Sequence, residues 1–121
     1  MNLAIAVLVG LVALEHSYFL VLEMFLWTTP KGRKTFGLSE QFAQDSKALA
    51  ANQGLYNGFL AAGLLWSLIH PDRHFALQLQ YFFLGCVLVA AAFGGVTVKR
   101  TILFVQGIPA LIALLVILIG T

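Results

Sequence analysis

The chain has 121 residues, of which 60% are hydrophobic and only 10% charged, with a formal net charge of +2. Soluble domains carry about 25% charged residues, and a mean hydropathy of +0.93 leaves too little polar surface to cover a water-soluble globule. The small basic excess gives no footing for nucleic-acid binding, and the single cysteine, Cys86, excludes an intramolecular disulfide.

Four apolar stretches follow one another, at about 3–27, 47–69, 75–94 and 101–119. Each has the length that a bilayer demands of a helix, about 20 residues. Only helices satisfy the backbone in lipid at this spacing. The expected fold is therefore all-α, a four-transmembrane-helix bundle forming a single domain. The first stretch resembles a signal peptide in its apolar run, but it has no basic start and is interrupted by acidic residues, so it reads as a retained span.

The connections differ. Residues 28–46 are long and polar, with Pro30, Gly32 and the basic group Lys31, Arg33 and Lys34. Ser39 offers an N-cap for a short interfacial helix running into the second span. The second connection, His70-Pro71-Asp72-Arg73-His74, is a tight turn in which Pro71 stops one helix and Asp72 caps the next. His70 and His74 read there as solvated turn residues. The third connection, Gly95 to Arg100, is equally short. Loops one and three carry Lys31, Arg33, Lys34, Lys47, Lys99 and Arg100, against Arg73 alone in loop two. That bias predicts loops one and three on the cytoplasmic side, both termini outside, and a bacterial cytoplasmic membrane as the site. Trp27 and Trp66 read as interfacial anchors.

Polar residues inside the spans carry the functional expectation. A charge near the bilayer centre costs roughly 2.5–3.5 kcal/mol, yet the first span holds Glu15, His16 and Glu23. At about 100° per residue the three share one arc of the helix, and Tyr18 points away. The second span carries Asn52, Gln53, Tyr56 and Asn57 on one broad arc, and Gly54, Gly58 and Ala62 at steps of four on the other side. The small-residue ridge predicts close helix packing and self-association, with a trimer favoured. In the fourth span Gln106 precedes Pro109, whose ring frees a backbone carbonyl. Glu15, His16 and Glu23 are the candidate acid/base residues, and Asn52, Gln53, Tyr56, Asn57 and Gln106 the candidate ligand contacts. The spacing of Glu15, His16 and Glu23 lacks the ExxH and HExxH patterns of metal sites, so the metal signal is weak; haem or metal ligation by His16 is a minor alternative, and the residues leave the cofactor unknown.

Ala51-Asn52-Gln53-Gly54-Leu55-Tyr56-Asn57-Gly58-Phe59, with Glu15-His16 and Lys99-Arg100 through Gln106-Gly107, resembles a family of small four-helix membrane proteins of unknown function from bacteria and fungi. The resemblance spans the chain and implies no activity. Asn52 to Asn57 is also similar to the second helix of the membrane-associated eicosanoid and glutathione metabolism proteins. That likeness implies a trimeric four-span architecture with a ligand held between subunits. Tyr56 stands where that family has Glu, and its preceding Arg and His are replaced within Ala48 to Ala51.

The function expected from these residues is binding of, or acid/base chemistry on, a small lipophilic molecule in an intramembrane polar pocket. Proton, cation or small-solute transport, or a non-catalytic role in membrane assembly, would draw on the same polar residues.

Overall fold

The computed structural model describes residues 1–120, which form five helices and, among those residues, no strand. They are α1 (Leu3–Met24), α2 (Pro30–Phe36), α3 (Glu40–Ile69), α4 (Arg73–Thr97) and α5 (Arg100–Gly120). The all-α expectation holds, with one more helix than the four spans anticipated. Three helices, α1, α4 and α5, are long and apolar enough to cross a membrane. The longest, α3, does not reach that composition: Glu40, Gln41, Gln44, Asp45 and Lys47 fill its first turns, and Asn52, Gln53 and Asn57 interrupt its apolar half.

The additional helix is α2, in the basic stretch after α1. The short helix expected from Ser39 runs into the second span as anticipated, forming the start of α3, where Ser39 Oγ accepts from Phe42 N at 3.1 Å. The signals for α2 are local. Thr29 is its N-cap and accepts from Gly32 N at 3.3 Å, Pro30 occupies the first helical position, and Gly37 closes it in the left-handed region at φ 67°. At Gly32 a Cβ would sit 1.9 Å from the Leu26 carbonyl oxygen, so only glycine lets the turn after α1 close against α2. Asp72 caps α4 as expected, accepting from His74 N and Phe75 N.

By packing, the chain divides into two compact units. The first joins Met1–Ala13 to the chain from Leu60 onward, and the second is Leu14–Phe59. In the first, segments of α1, α3, α4 and α5 share one apolar core around Ile5, Val9, Leu64, Leu84, Val87 and Ile117. Small residues bring α4 and α5 close: a Cβ on Gly94 would meet Ile102, and one on Gly107 would meet Ala91, which marks an antiparallel pair. The buried positions of α4 are Ala76, Gln80, Leu84, Val87 and Ala91, a stripe at helical spacing that includes one amide.

The second unit is built differently. There α1 and α3 run antiparallel, with Gly54 against Leu20, Glu23 and Met24, and Gly58 against Leu20. Trp27 holds the turn after α1: its Nε1 donates to Ser46 Oγ at 3.0 Å on α3, and its ring packs on Phe36 of α2 at 4.8 Å between centroids. Alongside Leu22, Ala43 and Ala50, the interior of this unit contains His16, Glu23 and Asn57.

Candidate functional site

Glu15, His16 and Glu23 lie in the second unit because α1 continues for about three turns past Ala13, where its part in the first unit ends. His16 and Glu23 are seven residues apart and so lie on the same side of the helix, about 10 Å apart along its axis. His16 is 0% exposed and Glu23 9% exposed. Glu15 neighbours His16 and turns partly outward, with its side chain 21% exposed.

The two carboxylates are held in contrasting ways. Glu23 Oε1 accepts from Asn57 Nδ2 at 2.5 Å, a buried side-chain bond between α1 and α3. Asn57 is itself 7% exposed. Glu15 Oε1 is buried without a hydrogen-bond partner, and the nearest basic atom recorded for it is His16 Nδ1 at 3.9 Å. That distance is beyond a hydrogen bond and within reach of an ion pair or a bridging group. The His16 ring packs edge-on against Phe19, 5.3 Å between centroids, which fixes its plane.

The other sequence candidates divide. Asn57 joins the buried cluster, while Asn52, Gln53 and Tyr56 lie on the exposed side of α3. The anticipated polar face of α3 is therefore split, because the contact with α1 is made by the glycine ridge. Asn57 follows Gly54 by three residues, and that step puts it beside the ridge rather than opposite it. Gly54 and Gly58 are occupied by α1 of the same chain, whereas Ala62 is exposed. Gln106 is half-buried on α5, in the first unit.

A family of proteins of unknown function, DUF1304, matches residues 10–118. This chain belongs to that family. The uncharacterised protein YpaA of Lactococcus lactis subsp. lactis (strain IL1403) is 28% identical over 117 residues, covering 95% of this chain and 97% of YpaA. No solved structure matches. The resemblance to a family without an assigned activity is thus borne out. Within this DUF1304 chain, chemistry has to be read from the side chains themselves.

Sequence reasoning passed over a second group, in the first unit. A cleft of about 340 Å³ is lined by Ile5, His70, Arg73, His74, Leu77 and Gln80, together with Met1 and Ala76. Gln80 is 2% exposed and its Nε2 donates to Met1 Sδ at 3.3 Å. Its inward position was legible: it lies four residues before Leu84 and four after Ala76, on the buried stripe of α4. Among the described residues no set of three His, Cys, Asp or Glu side chains is placed to hold a metal ion.

Proposed function

We propose that this DUF1304 chain is an integral membrane protein that binds a small lipophilic molecule beside Glu15 and His16 and exchanges a proton with it. The observation that carries this reading is the buried Glu15 Oε1, which has no hydrogen-bond partner and stands 3.9 Å from a fully buried imidazole. A carboxylate retained only to bind helices together would use its oxygens, as Glu23 does with Asn57. An unsatisfied oxygen next to a histidine is instead a place for a ligand hydroxyl, carbonyl or amine. Glu15 is the acid/base group, His16 its partner, and the Glu23–Asn57 pair fixes α1 against α3 so that both stay in position.

Embedding in a membrane is supported by three long apolar helices and by the large apolar side chains on their exposed surfaces, among them Leu3, Leu14, Phe82, Val89, Phe93 and Ile119. In this reading α3 is the fourth span. Its exposed Asn52, Gln53 and Tyr56 would then face lipid unless covered. A second copy of the chain is the natural cover, forming the homo-oligomer, with a trimer favoured. Since Gly54 and Gly58 already receive α1, Ala62 and this polar stripe are what remain for it. The Lys/Arg bias places loops one and three in the cytoplasm. Cysteine at Gly37 should accordingly be labelled only from the cytoplasmic side and cysteine at Asp72 only from outside; labelling of both from one side refutes the arrangement.

The function itself is tested by ligand content. Protein purified from its native membranes is extracted, and its small lipophilic molecules are compared among the unmodified chain, Glu15→Gln and Glu23→Gln. One species should be enriched with the unmodified chain and lost with Glu15→Gln. Equal profiles for all three would sink the reading. Dissipation of a proton gradient in reconstituted vesicles, dependent on Glu15, would favour transport instead.

A further inference from the structure

We propose that the cleft between the start of α1 and the α3–α4 turn is a second binding site, for the head and first methylenes of a single-chain anionic amphiphile such as a fatty acid. The site shares no residue with the Glu15–His16 pair. Its volume, about 340 Å³, lies at the lower end of the range of small-molecule sites. It fits a head group and a short length of chain rather than a whole two-chain lipid.

The lining has a polar side and an apolar side. Arg73, His70 and His74 supply one permanent cation and two imidazoles, and Gln80 adds a buried amide. Ile5, Ala76 and Leu77 supply the apolar wall. Among the described residues no acidic side chain lines the cleft. The nearest in sequence, Asp72, is committed elsewhere: its Oδ1 accepts from His74 N at 2.8 Å and from Phe75 N at 3.1 Å. Among the described residues Arg73 has no carboxylate partner, so its charge is available.

The turn also sets the proton on one imidazole. Asp72 N donates to His70 Nδ1 at 3.0 Å, so a neutral His70 carries its hydrogen on Nε2 and keeps a donor for a ligand. The His70 ring packs near two others, Phe75 at 5.6 Å and Trp66 at 6.1 Å between centroids. Donors and cation on one side and aliphatic carbon on the other are the complement of a carboxylate with its chain attached. Neither a free inorganic anion nor a neutral alcohol uses both halves.

Native mass spectrometry in a neutral detergent tests the site, with oleate as the probe. One saturable oleate adduct per chain is expected. Arg73→Gln should weaken it about tenfold or more, since a charge-assisted contact is lost. Arg100→Gln, which removes an equal charge outside the cleft, should leave it unchanged. Oleyl alcohol, with the same tail and no charge, should compete poorly, and inorganic phosphate should compete poorly for want of a tail. Non-saturating oleate uptake, equal effects of Arg73→Gln and Arg100→Gln, or effective competition by either oleyl alcohol or phosphate would each overturn the proposal. Arg73 is exposed, so its replacement should not impair folding. A Leu77→Asp variant, which sets a charge on the apolar wall, should abolish the adduct independently.

Discussion

The two compact units solve the problem of a helical interior with different materials. The first is closed by aliphatic side chains and small residues, with Val9, Leu64, Leu84, Val87, Ala110 and Ile117 all at 0% exposure. The second closes around a histidine, a glutamate and an asparagine, and needs a glycine at the crossing to do so. If both lie in a membrane, the surrounding solvent gives neither unit a hydrophobic reason to pack, and fit and hydrogen bonds have to suffice. The first unit relies mainly on fit, with Gln80 and Ser67 as its buried polar side chains. The second unit adds the buried Glu23–Asn57 bond between helices and leaves a Glu15 oxygen unbonded, and that surplus is where a function can reside.

The largest effect should come from emptying the apolar interior. Leu84→Ala removes a fully buried side chain of the first unit, and should cost about 2–5 kcal/mol through lost contacts and the cavity left behind. Thermal unfolding in detergent measures it. A loss below about 1 kcal/mol would mean that the core around Leu84 is loosely packed, and the contrast between the units would fail.

Next in size is a steric test of the polar unit. A Cβ at Gly54 would lie 2.7 Å from Met24 Cγ, 3.0 Å from Glu23 Cβ and 3.2 Å from the Leu20 carbonyl oxygen. Gly54→Leu must therefore push α1 and α3 apart, at about 3 kcal/mol, the upper part of the range for overpacking. Gly85 on α4 is the control, because nothing stands within 4 Å of a Cβ there. Gly85→Leu should be neutral or slightly stabilising, since leucine is the better helix former. Equal losses at the two glycines would remove the reason to assign Gly54 to the contact with α1.

These glycines also show how much could be read from the chain. The helix ends were legible because their chemistry is local: Ser39 and Asp72 cap α3 and α4 as their residue types require. The inward turn of His16 and Glu23 was legible because buried ionisable groups on a long apolar helix have nowhere else to go. The face of α3 was not. Periodicity groups Asn52, Gln53, Tyr56 and Asn57 in one arc, but it cannot say which edge of the arc meets a neighbour. That is decided by where another helix can approach closest, and the approach is at Gly54, beside Asn57. The helix α2 was signalled by Thr29, Pro30 and Gly37, but its basic composition resembled a loop. The cleft at His70, Arg73 and His74 was invisible because it needs the start of α1, distant in sequence, to close it.

The third effect separates a partner from its removal. Asn57→Leu takes away the donor to Glu23 Oε1 and should cost about 2 kcal/mol, the range for a buried polar group left unsatisfied. Glu23→Gln keeps an oxygen that can accept from the same amide, and should cost clearly less. Unfolding midpoints of the two variants compare them directly. If Glu23→Gln is as damaging as Asn57→Leu, the bond requires the charge, and Glu23 does more than hold α1 to α3.

The smallest effect on stability should fall at Glu15, and it is the most informative. Its Oε1 has no hydrogen bond to lose, and its side chain is partly exposed. Glu15→Gln should therefore shift stability by no more than about 0.5 kcal/mol, as for a substitution that breaks no packing or bond. The same change removes the carboxyl group beside His16, so binding or turnover that needs proton exchange should fall by about a hundredfold or more. A group that contributes nothing to the fold and everything to the chemistry is what separates a site from a structural pair. If instead Glu15→Gln destabilises the protein as much as Asn57→Leu does, Glu15 has a structural partner that its geometry does not reveal, and both carboxylates serve the packing of α1. If it changes neither stability nor ligand content, the unsatisfied oxygen is a tolerated cost in a partly exposed position, and the acid/base role passes from Glu15.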